Sequence, residues 1–389
     1  MELNERIADI PASQTLAISA KAKEYKAAGE DVCSFGAGEP DFDTPPHIKA
    51  AAEQALKEGQ TKYSPAVGLP ALRAAIAEKL NRENALAYTE QNVIVNNGAK
   101  HSLFNVFMAI CRAGDEVIVP QPYWLSYPEM VRVAGGTPVF AETSEHDGYR
   151  MTPDQLAALI TPKSRAVILN SPSNPTGVVY EPDELRALAE TAVKHDLFVV
   201  ADEIYEKILY DDVKHASAGS FSDEIFRKTI TVNGFSKAFA MTGWRLGYLA
   251  APPELVKAIS ALQSHSTSGP NTFAQYGALA ALTGPDACVA EMVAEFRKRR
   301  DYLYERLSSV PGVTCVKPRG AFYMLPNISA SGLNSLAFAE RLLAEKKVAV
   351  VPGSAFGAEG TVRFSYACSM ENIEKGLDRV AAFMSALAR

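Results

Sequence analysis

The chain has 389 residues, of which 47% are hydrophobic and 22% are charged, and its net charge at pH 7 is −6. This length exceeds one ordinary core and predicts about two domains of globular type. The modest acidic balance disfavours a nucleic-acid partner, and no apolar run approaches the ~20 residues of a membrane span. The polar N-terminus is unlike a secretory signal, so we expect a cytoplasmic protein that binds neither nucleic acid nor membrane.

Cysteines and histidines are scattered along the chain. The odd number of cysteines predicts no disulfide framework, and a reducing compartment fits. No histidine shows metal-ligand spacing with a cysteine or a carboxylate, so no metal site is predicted. The cysteines are Cys33, Cys111, Cys288, Cys315 and Cys368, and the histidines are His47, His101, His146, His195, His215 and His265.

Residues 1–45 contain too little periodic pattern to fold alone, and we expect them to pack on the C-terminal domain and on a partner subunit. From about residue 47, helical stretches alternate with short apolar runs. This alternation is typical of an α/β domain with a mostly parallel sheet that is buried on both faces. The predicted strands are Asn92–Val95, Glu116–Val119, Thr137–Phe140, Ala166–Leu169, Phe198–Ala201, Thr229–Val232 and Gly247–Ala250.

A Gly-Pro break at 284–285 ends this pattern. The predicted helix Ala290–Leu307 follows, and its basic run Arg297–Arg300 is interpreted as a solvated face because acidic residues interleave with it. A smaller α+β domain is predicted from the strands Gly320–Leu325, Val348–Val351 and Val362–Tyr366. The predicted domains are therefore residues 47–282 and, together, residues 1–46 and 283–389.

Polar residues follow several of the predicted strands. Ligands of open α/β sheets bind at the carboxyl ends of strands, so these positions are candidate site residues. Asn174 lies in a proline-rich turn, and Asp202 directly follows a strand, with Tyr205 three residues later. A glycine turn before Ala99 and Lys100 opens a helix and offers backbone N–H groups to an anion.

Lys237 lies in a run of small and apolar residues, with Ser236 before it and Arg245 eight positions after it. A buried lysine has a lowered pKa and can form a Schiff base with an aldehyde. A hydroxyl and a fixed cation are suited to anchoring a phosphate. The window therefore favours pyridoxal phosphate as a ligand, while a loop lysine beside a surface arginine is the alternative.

The order of these residues resembles that of the class I/II aminotransferases, which are fold-type I pyridoxal-phosphate enzymes, and within them the bacterial-type aspartate aminotransferases. The resemblance spans nearly the whole chain. It implies a large cofactor-binding domain with a mostly parallel seven-stranded sheet flanked by helices, plus a smaller α+β domain. The matching motifs are Gly36–Pro45, Thr61–Ser64, Pro122–Pro128, Ser171–Gly177, Asp202–Tyr205, Asn233–Arg245 and Val362–Tyr366.

The resemblance implies roles around the cofactor ring. Lys237 would hold pyridoxal 5'-phosphate as a Schiff base and then serve as the general base and acid. Asp202 would pair with the pyridine nitrogen, and Asn174 and Tyr205 would bond the phenolic oxygen. Trp124 would stack on the ring face.

The resemblance also implies a phosphate site and a shared active site. The phosphate would bind the backbone N–H groups of Ala99 and Lys100 together with Ser236 and Arg245. Tyr63 would reach it from the other subunit, which implies a homodimer.

For the substrate, the resemblance implies that Arg363 binds the α-carboxylate, assisted by Asn174 and the Gly38 backbone. Lys100, with Ser13 and Thr15 nearby, would bind the distal carboxylate. The implied reaction is transfer of the amino group of L-aspartate to 2-oxoglutarate by a ping-pong mechanism, which forms oxaloacetate and glutamate.

Other functions stay open. The animal-type branch places an arginine for the distal carboxylate where this chain has Gln263–Pro270 without one, which leaves an alanine, aromatic or kynurenine aminotransferase as an alternative. Prephenate is another candidate acceptor, although Pro11 and Ala12 stand where certain prephenate-using relatives carry a basic residue. A carbon–sulfur β-lyase and a non-enzymatic binding protein on the same fold are the remaining alternatives.

Overall fold

The computed structural model of the protein describes residue 10 and residues 14–387. Helices and short strands alternate through this part of the chain. The helices are α1 (Gln14–Ala27), α2 (Pro46–Lys57), α3 (Pro70–Asn84), α4 (Ala99–Ile110), α5 (Ser126–Val133), α6 (Pro153–Leu159), α7 (Pro182–Lys194), α8 (Asp223–Lys228), α9 (Pro253–Ser266), α10 (Thr272–Thr283), α11 (Ala287–Ser308), α12 (Ser335–Lys346) and α13 (Met370–Leu387). The strands are β1 (Cys33–Ser34), β2 (Val93–Asn96), β3 (Glu116–Gln121), β4 (Thr137–Glu142), β5 (Ser164–Asn170), β6 (Phe198–Asp202), β7 (Thr229–Gly234), β8 (Gly247–Ala250), β9 (Tyr323–Met324), β10 (Val348–Ala349), β11 (Val351–Pro352) and β12 (Val362–Ser365).

Strands β2 to β8 form one seven-stranded sheet in the order β2-β8-β7-β6-β5-β3-β4. The neighbours from β4 to β7 are parallel, whereas β8 runs antiparallel to both β7 and β2. Each of the seven predicted strands overlaps one of these strands. The predicted α/β fold with a mostly parallel seven-stranded sheet is confirmed.

Helices cover both faces of the large sheet, as the alternation of side chains along β5 shows. Ala166 and Ile168 pack in one core with helices α4 and α5, and Val167 and Leu169 pack in a second core with helix α7. Burial on both faces explains why the strands are nearly continuous apolar runs. Among the described helices, none combines the length and the hydropathy that crossing a membrane requires.

The register of the central strands brings several polar residues to one edge of the sheet. Asn170, at the end of β5, pairs with Asp202 at the end of β6, and Asp202 pairs with Val232 of β7. The loops that follow these three strands carry Asn174, Tyr205 and Lys237. The carboxyl edge therefore gathers candidate residues that lie far apart in the chain.

The smaller strands differ from the prediction between residues 348 and 352. One strand was predicted over Val348–Val351, but the run contains two strands that change partners at Val350. Strand β10 pairs parallel with β1, whereas β11 pairs antiparallel with β12, which also pairs with β9. A short apolar run indicates burial but not which neighbour accepts its hydrogen bonds.

The segment before the large sheet packs on the C-terminal strands and helices. Ile18 of α1 and Phe35 share a buried core with Phe364 of β12 and Phe383 of α13. The rings of Phe35 and Phe364 lie 5.0 Å apart. The proposed domain boundaries, 47–282 and 1–46 with 283–389, stay a prediction.

The interpretation of the basic run in helix α11 as a solvated face is wrong for two of its arginines. Arg300 is fully buried and binds Asp211 through both terminal nitrogens, at 2.6 and 2.9 Å. Arg299 is also buried, and its Nη1 donates to Asp41 Oδ1 over 2.7 Å. Arg299 also binds Glu295 and Arg300 also binds Asp301 on the same helix. Asp41 and Asp211 are distant in sequence, so the local charge pattern did not show these two buried partners.

Candidate active site

A cavity of about 560 Å³ opens at the carboxyl edge of the large sheet, and residues of the smaller α+β part complete it. It gathers most of the predicted site residues. Those that line it are Gly38, Ala99, Lys100, Trp124, Asn174, Asp202, Tyr205, Ser236, Lys237, Arg245 and Arg363.

Three predicted site residues are not placed in this cavity. Tyr63 is 95% exposed and lines a separate groove with residues 269–273. Ser13 lies outside the described residues, and Thr15 is described only as part of the backbone of helix α1.

Lys237 follows strand β7 and lies half-buried in the cavity. Its Nζ donates a hydrogen bond to the Gly38 carbonyl oxygen over 2.6 Å. Removal from bulk water lowers the pKa of Lys237 to about 8, and the Arg363 and Arg245 cations add to this effect against the opposing Glu39 carboxylate. A much larger share of this amine is therefore neutral near pH 7 than of an ordinary lysine.

Asp202 presents a buried carboxylate at the end of β6. Its Oδ2 accepts a hydrogen bond from the Tyr127 hydroxyl over 2.6 Å, and its Oδ1 accepts one from the Ile204 amide over 3.3 Å. Burial raises the pKa of Asp202 to about 6 because these donors only partly compensate for lost water. Such a carboxylate favours a cationic partner inside the cavity.

Tyr127 and Tyr323 line the cavity but were not predicted as site residues. The Tyr323 hydroxyl lies 2.9 Å from the hydroxyl of Tyr205, a predicted site residue. This hydrogen bond holds Tyr205 in place from the smaller α+β part of the molecule. Tyr127 lies within the Pro122–Pro128 motif. The sequence signal for Tyr127 is a tyrosine on the apolar face of helix α5. A buried tyrosine hydroxyl normally needs a hydrogen-bond partner, which points to a polar residue nearby.

Arg363 lies in strand β12 and is 2% exposed. Its Nη1 donates to Asn174 Oδ1 over 2.9 Å, and its Nη2 donates to the Gly36 carbonyl over 3.1 Å. Its Nε has no hydrogen-bond partner among the described residues. A buried guanidinium whose contacts are neutral oxygens is suited to receive a carboxylate from a ligand.

The turn before helix α4 and Arg245 form a second place for an anion. The first N–H groups of a helix have no partner within the helix and attract negative charge. Gly98 has a φ of 87°, and a Cβ there would lie 2.6 Å from Arg245 Nη2, so only glycine lets the guanidinium approach the helix start this closely. Ser236 lines the same cavity.

Lys100 lies exposed at the wall of the cavity beside Trp124. Its Nζ is 4.9 Å from the centroid of the Trp124 ring. The cavity is thus lined by the cations of Lys100, Arg245 and Arg363 in addition to the Lys237 amine. This charge distribution favours ligands with several negative groups.

Comparison with known proteins identifies the family. Residues 30–380 match the family described as "Aminotransferase class I and II". The chain is 49% identical to the aspartate aminotransferase of Geobacillus stearothermophilus over 100% of both chains, and 50% identical to the aspartate/prephenate aminotransferase of Thermus thermophilus over 97% and 98% of the two chains. A solved structure of the Thermus thermophilus aspartate aminotransferase with maleate superposes with a TM-score of 0.95 at 48% identity, covering 98% of this chain and 99% of that one. The protein therefore belongs to the class I and II aminotransferases.

Proposed function

We propose that the protein uses pyridoxal 5'-phosphate to transfer the amino group of L-aspartate to 2-oxoglutarate, forming oxaloacetate and glutamate by a ping-pong mechanism. The observation that carries this proposal is one cavity lined by the amine of Lys237 and by the cations of Arg363 and Lys100. Aspartate has two carboxylates, and one cation for each accounts for both. The names of the similar enzymes support aspartate as the donor.

The donor set of the cavity fits the proposed cofactor. Ser236, Arg245 and the first N–H groups of helix α4 suit a phosphate, and the buried Asp202 carboxylate suits a protonated ring nitrogen. The Lys237 amine suits the aldehyde. When bound, pyridoxal phosphate supplies an electron sink for the negative charge that develops at the substrate α-carbon.

The proposed roles of the remaining residues follow from what they contact. Tyr127 orients the Asp202 carboxylate through its hydrogen bond. Tyr205, held by Tyr323, and Asn174, held by Arg363, are proposed to bond the phenolic oxygen of the cofactor. Lys237 is proposed to move the proton at the substrate α-carbon, for which a neutral amine is required.

Replacing Lys100 with alanine should weaken aspartate and glutamate far more than aromatic donors. Loss of a charged hydrogen bond to the distal carboxylate costs about 1–3 kcal/mol, so kcat/KM for the acidic donors should fall roughly 10- to 100-fold. The measurement is a donor panel of aspartate, glutamate, alanine and phenylalanine. Lys257→Ala, at an exposed position of helix α9, is the matched control. Equal losses for all donors would remove Lys100 from substrate recognition.

The donor panel, extended by prephenate as an acceptor and by cystathionine as a substrate, tests the proposed reaction against its alternatives. Aspartate with 2-oxoglutarate should give the highest kcat/KM. Prephenate is the second candidate acceptor because three of the similar enzymes are named aspartate/prephenate aminotransferase. It is tested with glutamate as the donor. Formation of pyruvate and ammonia from cystathionine would instead indicate a β-lyase.

Capture of the cofactor by the cofactor-free protein should depend on pH through Lys237. Only the neutral amine attacks the aldehyde, and the pKa of Lys237 is about 8 instead of 10.5. The capture rate should therefore rise about tenfold per pH unit below pH 8 and level off above it. Stopped-flow absorbance with pyridoxal phosphate measures this rate. A rate that keeps rising to pH 10 would mean that Lys237 has an ordinary pKa.

A cytoplasmic homodimer with shared active sites completes the proposal. Tyr63 is an exposed aromatic residue beside a groove of about 510 Å³ formed by residues 61–64 and 269–273. An exposed aromatic side chain beside such a groove is suited to a subunit contact. We propose that Tyr63 extends from this surface to the phosphate in the partner subunit.

A further inference from the structure

A group of buried polar side chains lies behind the turn that carries Asp202 and Tyr205. Asp202 and Tyr205 line the cavity, whereas the residue after each of them, Glu203 and Glu206, points away from it into this group. We call the group the rear cluster. Its members are Lys79, Asn84, Glu203, Glu206, His215 and Ser217.

The carboxylate of Glu203 is held mainly by donors from one loop, and Asn84 Nδ2 of helix α3 also donates to Glu203 Oε2 over 3.4 Å. His215 Nε2 lies 3.0 Å and Ser217 Oγ lies 2.7 Å from Glu203 Oε2. The Ala218 amide donates to Glu203 Oε1 over 3.3 Å. Asp202, the neighbour of Glu203, is thus fixed from behind as well as by Tyr127.

The carboxylate of Glu206 is held by helix α3. It forms an ion pair with Lys79 and accepts a hydrogen bond from Asn84 Nδ2 over 2.7 Å. His215 Nε2 lies 3.9 Å from Glu206 Oε2. The rear cluster therefore joins helix α3, the turn after β6 and the loop around residue 215.

The charges of the rear cluster balance only when His215 is protonated. Glu203 and Glu206 carry two negative charges, and Lys79 carries one positive charge, while the side chains of these three residues are 3%, 8% and 4% exposed. Burial disfavours a charged imidazole, but Glu203 and Glu206 outweigh it and raise the pKa of His215. Uncompensated charge in such a site is costly, so protonation of His215 completes the balance.

His215 lies beside two carboxylates, although its spacing in the sequence indicates no cysteine or carboxylate partner. Ligand atoms of Glu203, Glu206 and His215 lie within 4.8 Å of one another. The Lys79 ammonium contacts Glu206 and supplies positive charge there without a metal. Outside the cluster, Glu83 lies 3.8 Å from Lys79 and 2.5 Å from Lys207.

The rear cluster is electrostatically coupled to the cavity. Burial is the main cause that raises the pKa of Asp202, and the Glu203 carboxylate raises it further. A charge buried about ten ångströms from a titrating group shifts its pKa by roughly one unit at an effective dielectric constant of about 20. The net charge of the rear cluster thus affects the pKa values of groups in the cavity.

We propose that the rear cluster holds the Asp202–Tyr205 turn in place and tunes the protonation of the cofactor site through its charge, with His215 positively charged. The inference rests on the proposed use of pyridoxal phosphate. Its residues are positioning residues, since they act through Asp202 and Tyr205.

The test is the pH midpoint of the change in visible absorption of the holoenzyme. With pyridoxal phosphate held by Lys237 as proposed, this midpoint would report protonation in the cofactor site. Glu203→Gln, made in a His215→Gln background so that loss of the imidazole proton cannot cancel the change, removes a negative charge behind the turn. It should lower the midpoint of that background by roughly half to one pH unit. His215→Gln removes a positive charge while keeping a donor, and it should raise the midpoint by a similar amount.

The control within the cluster is Ser217→Ala, which loses the hydrogen bond to Glu203 without a change of charge. Its Tm should fall while its midpoint stays at the wild-type value. Should Glu203→Gln fail to fold, Glu206→Gln replaces it, with the same expected direction. Shifts of the same sign in the acid and histidine variants, or no shift in folded holoenzymes, would overturn the inference. A wild-type protein that develops no visible absorption with pyridoxal phosphate would instead overturn the proposed function.

Discussion

Replacing Lys237 with alanine should lower kcat for transamination by at least ~10⁴-fold. The variant would lose both the amine proposed to bind the cofactor and the base proposed to move the α-proton, and general-base catalysis alone contributes up to about 10⁴-fold. Steady-state assays with aspartate and 2-oxoglutarate measure the loss. Borohydride reduction followed by unfolding should leave the chromophore attached to the wild-type chain and not to the variant.

Two further variants distinguish loss of the Lys237 amine from loss of its positive charge. Lys237→Arg retains a cation that cannot form a Schiff base at neutral pH, so it should fail in the same way. Lys257→Ala, at an exposed position, should behave as the wild type. If Lys237→Ala still yields a borohydride-reducible adduct, the assignment of the reactive lysine is wrong.

Arg363→Lys should raise KM for every amino donor and lower kcat/KM by roughly 10- to 100-fold. The α-carboxylate is common to all donors, and lysine cannot reproduce the paired N–H geometry of guanidinium. Loss of one charge-assisted hydrogen bond costs about 1.5–3 kcal/mol, which sets this range. The measurement is the donor panel used for Lys100.

A second arginine provides the comparison for Arg363. Arg306→Lys changes a partly exposed residue that pairs with Asp378, and it should leave KM unchanged. An Arg363→Lys effect confined to aspartate would contradict binding of the α-carboxylate. Together the Lys100 and Arg363 variants assign one cation to each end of the substrate.

Lys237 and Asp202 could be predicted from sequence because each follows an apolar strand, which places both at one edge of the large sheet. Arg363 was predicted from the family resemblance alone, and the structure lines one cavity with all three residues. Tyr127 and Tyr323 could not be found this way. Tyr127 contacts a residue 75 positions away and Tyr323 one 118 positions away, so their roles depend on how elements pack.

The wrong predictions for Arg297–Arg300 and for Val348–Val351 have the same physical cause. A charged run such as Arg297–Arg300 has the same sequence pattern whether its side chains are solvated or pair with a distant aspartate. Asp211, the partner of Arg300, is 89 positions away. The apolar run Val348–Val351 indicates burial, but the change of partner at Val350 depends on where β1 and β12 lie. Local sequence specifies what is buried more readily than what it contacts.

The hydrogen bonds of Arg363 have a consequence for the order of folding. They join Arg363 to Asn174 and Gly36 across sequence separations of 189 and 327 residues. Closing loops of such length is entropically costly and slow, so contacts of this kind are completed after local helices and turns have formed. The Arg363 guanidinium therefore reaches its final position only when the beginning, the middle and the end of the chain have come together. If Arg363 binds the substrate as proposed, recovery of substrate binding after unfolding should mark the last stage of assembly.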